Sequence, residues 1–99
     1  MRAIHPEDLP TEVLETSFGL GKLVAATRKS RGMTQADLCE ITGIGRTTLL
    51  EIEHGSPRVQ FAHWLSALHA LDLLGNISNT ISAADMGRIA QAVKQPRKS

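Results

Sequence analysis

Two glycines separated by one residue, Gly43 and Gly45, interrupt an otherwise amphipathic stretch, and they constrain the fold of this chain more than any other feature. Residues 34–55 read Thr-Gln-Ala-Asp-Leu-Cys-Glu-Ile-Thr-Gly-Ile-Gly-Arg-Thr-Thr-Leu-Leu-Glu-Ile-Glu-His-Gly. Thr34 is placed to cap the free N–H groups of a helix that begins at Gln35, and Asp37, three residues on, closes a capping box. Helical spacing puts Ala36, Leu38, Cys39 and either Ile41 or Thr42 on the inner face. Gly43 supplies the unusual backbone conformation that reverses the chain. Ile44 is the apolar plug of the turn. A second short helix then buries Leu49 and Ile52 and leaves Arg46, Thr47, Leu50 and Glu51 outward.

That arrangement is a helix-turn-helix, and residues 20–74 resemble the phage-repressor and Cro-type (XRE) family of transcriptional regulators. The residues that carry the resemblance are Gly21, Arg28, Gly32, Thr34-Gln35, Leu38, Gly43-Ile44, Thr48-Leu49, Ile52-Glu53, Gly55 and the helix end at Leu68 to Leu71. A narrower similarity is to HipB-type antitoxins, through Pro57-Arg58-Val59 and Ala70-Leu71-Asp72-Leu73-Leu74. The resemblance implies an all-α fold: a compact five-helix lambda-repressor-like domain over residues 18–75, a partly ordered N-terminal arm over 1–17, and a C-terminal helix with a basic tail over 76–99.

It also implies roles for residues. In this motif the N-terminal half of the second helix meets the major groove, so Arg46, Thr47, Leu50 and Glu51 are the expected base readers. Arg46 suits guanine, Thr47 and Leu50 suit thymine methyl groups, and Glu51 accepts from a cytosine amino group or repels the wrong register. Gln35, Thr48, Ser56 and Arg58 are expected at phosphates, Gln35 by its family counterpart and the Gly55-Ser56-Pro57-Arg58 loop through backbone N–H groups and a basic side chain. Arg58 can equally be a solvated loop arginine. Arg28 and Glu53 are read as a structural pair, with a phosphate contact by Arg28 as the alternative.

The net charge of only +1 makes the placement of charge matter. Residues 1–17 set Arg2 against Glu7, Asp8, Glu12 and Glu15, whereas Lys22, Arg28, Lys29 and Arg31 make the next segment basic. Residues 34–58 hold Arg46 and Arg58 against Asp37, Glu40, Glu51 and Glu53, and Arg88, Lys94, Arg97 and Lys98 fall near the C-terminus. Because counterion release scales with the phosphates neutralised, a monomer with so few cations is expected to bind DNA weakly. A homodimer on a near-palindromic operator is the expected remedy.

Outside the motif, the first helix is expected from about Phe18 to Arg31 behind a Ser17 cap, with Leu20, Leu23, Val24 and Thr27 inward and Met33 filling the next corner. A helix from about Gln60 to Leu71 puts Phe61, Trp64, Leu65, Leu68 and Leu71 on one face, with Trp64 as a core or dimer anchor. Asn76 to Thr80 reads as a turn. Ser82 caps a last helix to about Lys94, whose stripe of Met86, Ile89 and Val93 packs on the body or on a second subunit. Arg97-Lys98 is expected to fray, and the arm to Pro10 either to be disordered or to fold back through Val13, Leu14 and Phe18.

A chain of 99 residues makes one domain and buries too little for a large catalytic cavity. The four histidines, His5, His54, His63 and His69, lack metal-ligand spacing, and no nucleophile elbow is present, so neither metal, cofactor nor enzyme is expected. Cys39, the one cysteine, reads as a packing residue. With no membrane-length apolar run and no signal-peptide pattern, the expected location is the cytoplasm, at the nucleoid. The rival reading is a HipB-like antitoxin that neutralises a HipA-like kinase and represses their operon; a third is a structural adaptor that has lost DNA binding.

Overall fold

A computed structural model describes residues 4–79 and 81–94 of the chain. The arm's first three residues and the Arg97-Lys98 tail lie outside the described residues. Among the described residues a 3-10 turn, Pro6–Asp8, precedes six helices: α1 Thr11–Ser30, α2 Gln35–Thr42, α3 Arg46–Glu53, α4 Phe61–Ala70, α5 Leu74–Ser78 and α6 Ala83–Lys94. The described residues contain no strand, and the architecture is the all-helical fold the sequence implies.

The core is one cluster drawn from five segments: Val24 of α1, Leu38 of α2, Ile44 of the turn, Leu49 and Ile52 of α3, and Trp64, Ala67, Leu68 and Leu71 from α4 and its end. Val24, Leu38, Leu49, Ile52 and Leu71 are fully buried, each worth about 1.5–3 kcal/mol of transfer free energy. Met33 and Val59 pack against the edge of this cluster, as do Leu73, Leu74 and Ile77. Those last three explain why α5 forms where Asn76 to Thr80 reads as a turn: the apolar contacts outweigh the weak local propensity of Gly75 and Asn76.

Helix α1 departs most from expectation. It starts at Thr11, not Phe18, and absorbs much of the presumed arm. Pro10 holds extended backbone just before it, its carbonyl accepts from the N–H groups of Val13 and Leu14, and Glu12 sits favourably in the first turn. Ser17 is therefore mid-helix. Its hydroxyl donates to the carbonyl of Gly55 at 2.6 Å, a tertiary bond in place of a cap. Leu23 is exposed where the stripe put it inside, Ala36 of α2 likewise, and of the pair Ile41 and Thr42 it is Thr42 that turns inward. Phe61 is 73% exposed at the start of α4, although Trp64 and Leu68 on its face are buried.

Asp72 follows α4 with φ +59°, a left-handed conformation that costs a side chain roughly 1 kcal/mol. The N–H of Asp72 bonds to His69 O and that of Leu73 to Leu68 O, so the chain is locked there. The compensating Arg31–Asp72 ion pair, 3.1 Å, is largely solvent-exposed and worth ~0–1 kcal/mol. Asp72→Gly is expected to raise stability by up to ~1 kcal/mol in urea unfolding followed by Trp64 fluorescence. A loss of stability would show that the ion pair outweighs the backbone strain.

Candidate nucleic-acid interface

Helix α2 begins with the capping box in full: Thr34 Oγ1 accepts from Asp37 N–H at 3.0 Å, and the Asp37 carboxylate accepts from Thr34 N–H at 2.8 Å. The backbone and hydroxyl bonds from Thr34 hold the Asp37 carboxyl below its ordinary pKa. At the other end, Gly43 adopts φ +75° and donates to Cys39 O at 2.8 Å. Thr42 ties the turn together, its hydroxyl donating to Leu38 O at 2.7 Å and accepting from Ile44 N–H at 3.2 Å. Ile44 is seated in the core and ties the start of α3 to the body.

Eight residues, Arg46–Glu53, form α3, and burying Leu49 and Ile52 leaves Arg46, Thr47, Leu50 and Glu51 as one exposed face. Among the described residues, the Arg46 side chain makes no hydrogen bond or ion pair, so its guanidinium is available to a ligand. Thr48 is half-buried and borders a shallow cleft of about 230 Å³ with Glu51, Arg58, Val59, Gln60 and His63. Gln60 and His63 are absent from the sequence-derived site; only their position at the start of the next helix hinted at it.

Behind this face lies the Arg28–Glu53 pair. Arg28 Nε donates to Glu53 Oε2 at 2.7 Å and Nη2 to Oε1 at 3.0 Å, with 8% and 6% of the two side chains exposed. Arg28 Nη1 also donates to Met33 O at 2.8 Å. The Glu53 hydrogen bond raises the Arg28 pKa. Burial pushes the Glu53 carboxyl up, but bonds from Arg28 and Gln35 pull it further down, so the net shift is downward. The pair spans α1, the α1–α2 corner and the end of α3. It also removes Glu53 from the negative charge offered to a ligand.

Gln35, expected at a phosphate, spends one amide N–H on Glu53 Oε1 at 3.1 Å. Ser56 braces its loop: its hydroxyl accepts from Arg58 N–H at 3.2 Å and its carbonyl from Trp64 Nε1 at 3.3 Å. Arg58 is exposed but not solitary, since its Nε donates to Ile4 O at 2.6 Å. The arm therefore folds back onto the loop after α3, a contact between residues far apart in sequence.

A helix-turn-helix family model matches residues 24–73, half of the chain, running from α1 through the turn to the end of the core. The protein belongs to the helix-turn-helix family. Its kind is the phage-repressor and Cro-like regulator, and it is a DNA-binding transcriptional regulator. No curated protein and no solved structure matches it. In this helix-turn-helix protein the matched segment contains α2, the Gly43 turn, α3 and both members of the Arg28–Glu53 pair. No helix among the described residues is long and apolar enough to cross a membrane.

Proposed function

We propose that this regulator is a cytoplasmic, nucleoid-associated repressor that binds a near-palindromic operator as a homodimer, with α3 of each copy in the major groove. The observation that carries the reading is the exposed Arg46, Thr47, Leu50 and Glu51 face on a helix whose orientation the turn and the buried pair hold fixed. Arg46 leads the recognition, because its uncommitted guanidinium can bond bidentately to a guanine edge. Thr47 and Leu50 contact thymine methyls, and Glu51 selects against wrong bases. Thr48, Ser56, Arg58 and the second N–H of Gln35 hold phosphates, which set register without reading sequence. Two such units place half-sites about 34 Å apart. Helices α1 to α5 act as the DNA-binding unit, so that the expected arm of residues 1–17 shrinks to the residues before Thr11 and the separate C-terminal element of 76–99 begins only after α5.

The test is selection of bound duplexes from a random pool. Wild type is expected to enrich a palindrome. Arg46→Ala is expected to lose ~1–3 kcal/mol of discrimination at one base pair per half-site, with folding intact. Unchanged operator affinity in the variant would overturn the role given to Arg46.

The antitoxin reading rests on Pro57-Arg58-Val59 and Ala70-Leu71-Asp72-Leu73-Leu74. In the fold Val59 packs on the core, Leu71 is buried and Asp72 turns the chain, so the apolar members of both segments serve packing. Packing accounts for them without a toxin, which favours the simple repressor. Co-purification of a HipA-like kinase with the intact chain would reverse that preference.

A further inference from the structure

Among the described residues several apolar surfaces remain uncovered, the exposed Ile41 of α2 among them, and two of these are matched in charge. The first is a groove of about 520 Å³ between the N-terminal half of α1 and the start of α4, lined by Val13, Thr16, Leu20, Pro57, Phe61 and Trp64. The second is one stripe of α6. Its N-terminus is fixed by a capping box in which Asp85 N–H donates to Ser82 Oγ at 3.1 Å and Ser82 N–H donates to the Asp85 carboxylate at 3.3 Å. Met86, Ile89 and Val93, with Ala83 and Ala90 beside them, are all exposed. Val93 is 79% exposed and Phe61 of the groove 73%, and each stands in a contiguous apolar surface, which marks an interaction site where a lone exposed side chain would not.

We propose that α6 of one copy docks its Met86–Ile89–Val93 stripe into the α1–α4 groove of a second copy, and that the exchange is reciprocal. The inference rests on the dimer reading above and names its interface. Charge selects the occupant. The groove side belongs to the acidic segment, with Glu12 at its lining and Glu7, Asp8 and Glu15 nearby in sequence, whereas on the α6 side Arg88 is paired with Asp85 and the uncompensated charge comes in sequence from Lys94, Arg97 and Lys98. An acidic apolar groove therefore meets an apolar helix that leads into a basic stretch of the same protein. Within one chain the stripe stays exposed, and the chain departs toward α6 from the far end of α4, about 15 Å of helix from Phe61. One 12-residue helix, about 18 Å long, covers little by itself. A two-fold exchange makes the contact twice, buries both exposed surfaces of both copies and closes the assembly, moving it toward the ~1,200–2,000 Å² of stable interfaces.

Sedimentation velocity on the full chain is the test, with Phe61→Asp and Ile89→Asp beside wild type. Both side chains are exposed, so far-UV circular dichroism is expected to be unchanged while the dimer dissociates. Binding to the full palindrome should weaken on the order of a hundredfold and binding to a half-site should not change. Phe61→Cys and Ile89→Cys chains, each also Cys39→Ser, should form a disulfide-linked heterodimer when mixed and oxidised. A dimer that persists in both Asp variants overturns this interface and leaves the dimeric repressor standing. A double Phe61→Cys/Ile89→Cys chain that links only within itself also overturns it, by showing that the groove takes its own α6. A wild type that is monomeric at operator-binding concentrations, and on the operator, overturns both.

Discussion

Glu53→Ala is expected to destabilise the protein by about 3–5 kcal/mol, a large part of the ~5–15 kcal/mol available to a domain of this size. The loss comes from what is left behind. Arg28 remains only 8% exposed with two of its donors, Nε and Nη2, stripped of the carboxylate they held at 2.7 and 3.0 Å. Gln35 loses an acceptor at the same time. By the same reasoning, replacing both charges with apolar groups of similar length, Arg28→Met with Glu53→Leu, removes the desolvation cost together with the attraction. The double variant is expected to recover most of the stability. Urea unfolding followed by Trp64 fluorescence measures all three chains. A Glu53→Ala protein within about 1 kcal/mol of wild type would show that the pair does not hold α3 in place.

The pair also predicts a pH dependence. The folded Glu53 pKa lies below its ordinary value, so its stabilisation is complete above the ordinary glutamate pKa of about 4.3 and is lost as pH falls through the lower folded value. Wild type is expected to lose stability through that acid range. The double variant should show a shallower slope, since only other carboxyls such as Asp37, held down by its capping bonds, still contribute. Equal slopes would mean that Glu53 titrates alike in the folded and unfolded chains.

How much of this was legible in the sequence depended on how local each interaction is. The capping box and the Gly43 turn are complete within a few residues, and both stand where the pattern put them. Arg28 and Glu53 are separated by 25 residues, and only the family resemblance linked them. Ser17 misled because a hydroxyl before an amphipathic run serves a cap or a tertiary bond equally well, and here Gly55 O claims it. Phe61 misled because helical periodicity identifies the face of a helix but not whether a neighbour covers its end. The α1–α4 groove stays open there. Of the interface, the exposed face of α3 was readable from spacing alone. The Gln35–Glu53 and Arg58–Ile4 contacts were not, since each joins segments that only the folded chain brings together.

Gly21→Ala separates two physical effects of opposite sign on the same helix. By propensity alone, alanine in the interior of α1 should stabilise it by about 1 kcal/mol. The backbone of α3 forbids it: a Cβ on Gly21 would lie 2.4 Å from Ile52 O and 2.6 Å from Gly55 N. Neither atom is the tip of a flexible side chain, so α1 and α3 must move apart. The contact is reciprocal, since a Cβ on Gly55 would lie 2.5 Å from the Cα of Phe18. Overpacking of this kind costs typically 1–3 kcal/mol when side chains can adjust, and with backbone on both sides the loss should be about 3 kcal/mol or more. Gly19→Ala is the control, because nothing lies within 4 Å of its added Cβ, and it should gain the helix propensity unopposed. Moving α3 also moves Arg46, so Gly21→Ala should weaken operator binding even at temperatures where it stays folded, whereas Gly19→Ala should bind as wild type. If the two alanine variants melt together, α1 and α3 do not touch through their backbones, and the support assigned to the reading helix would have to come from the turn, its buried side chains and the Arg28–Glu53 pair.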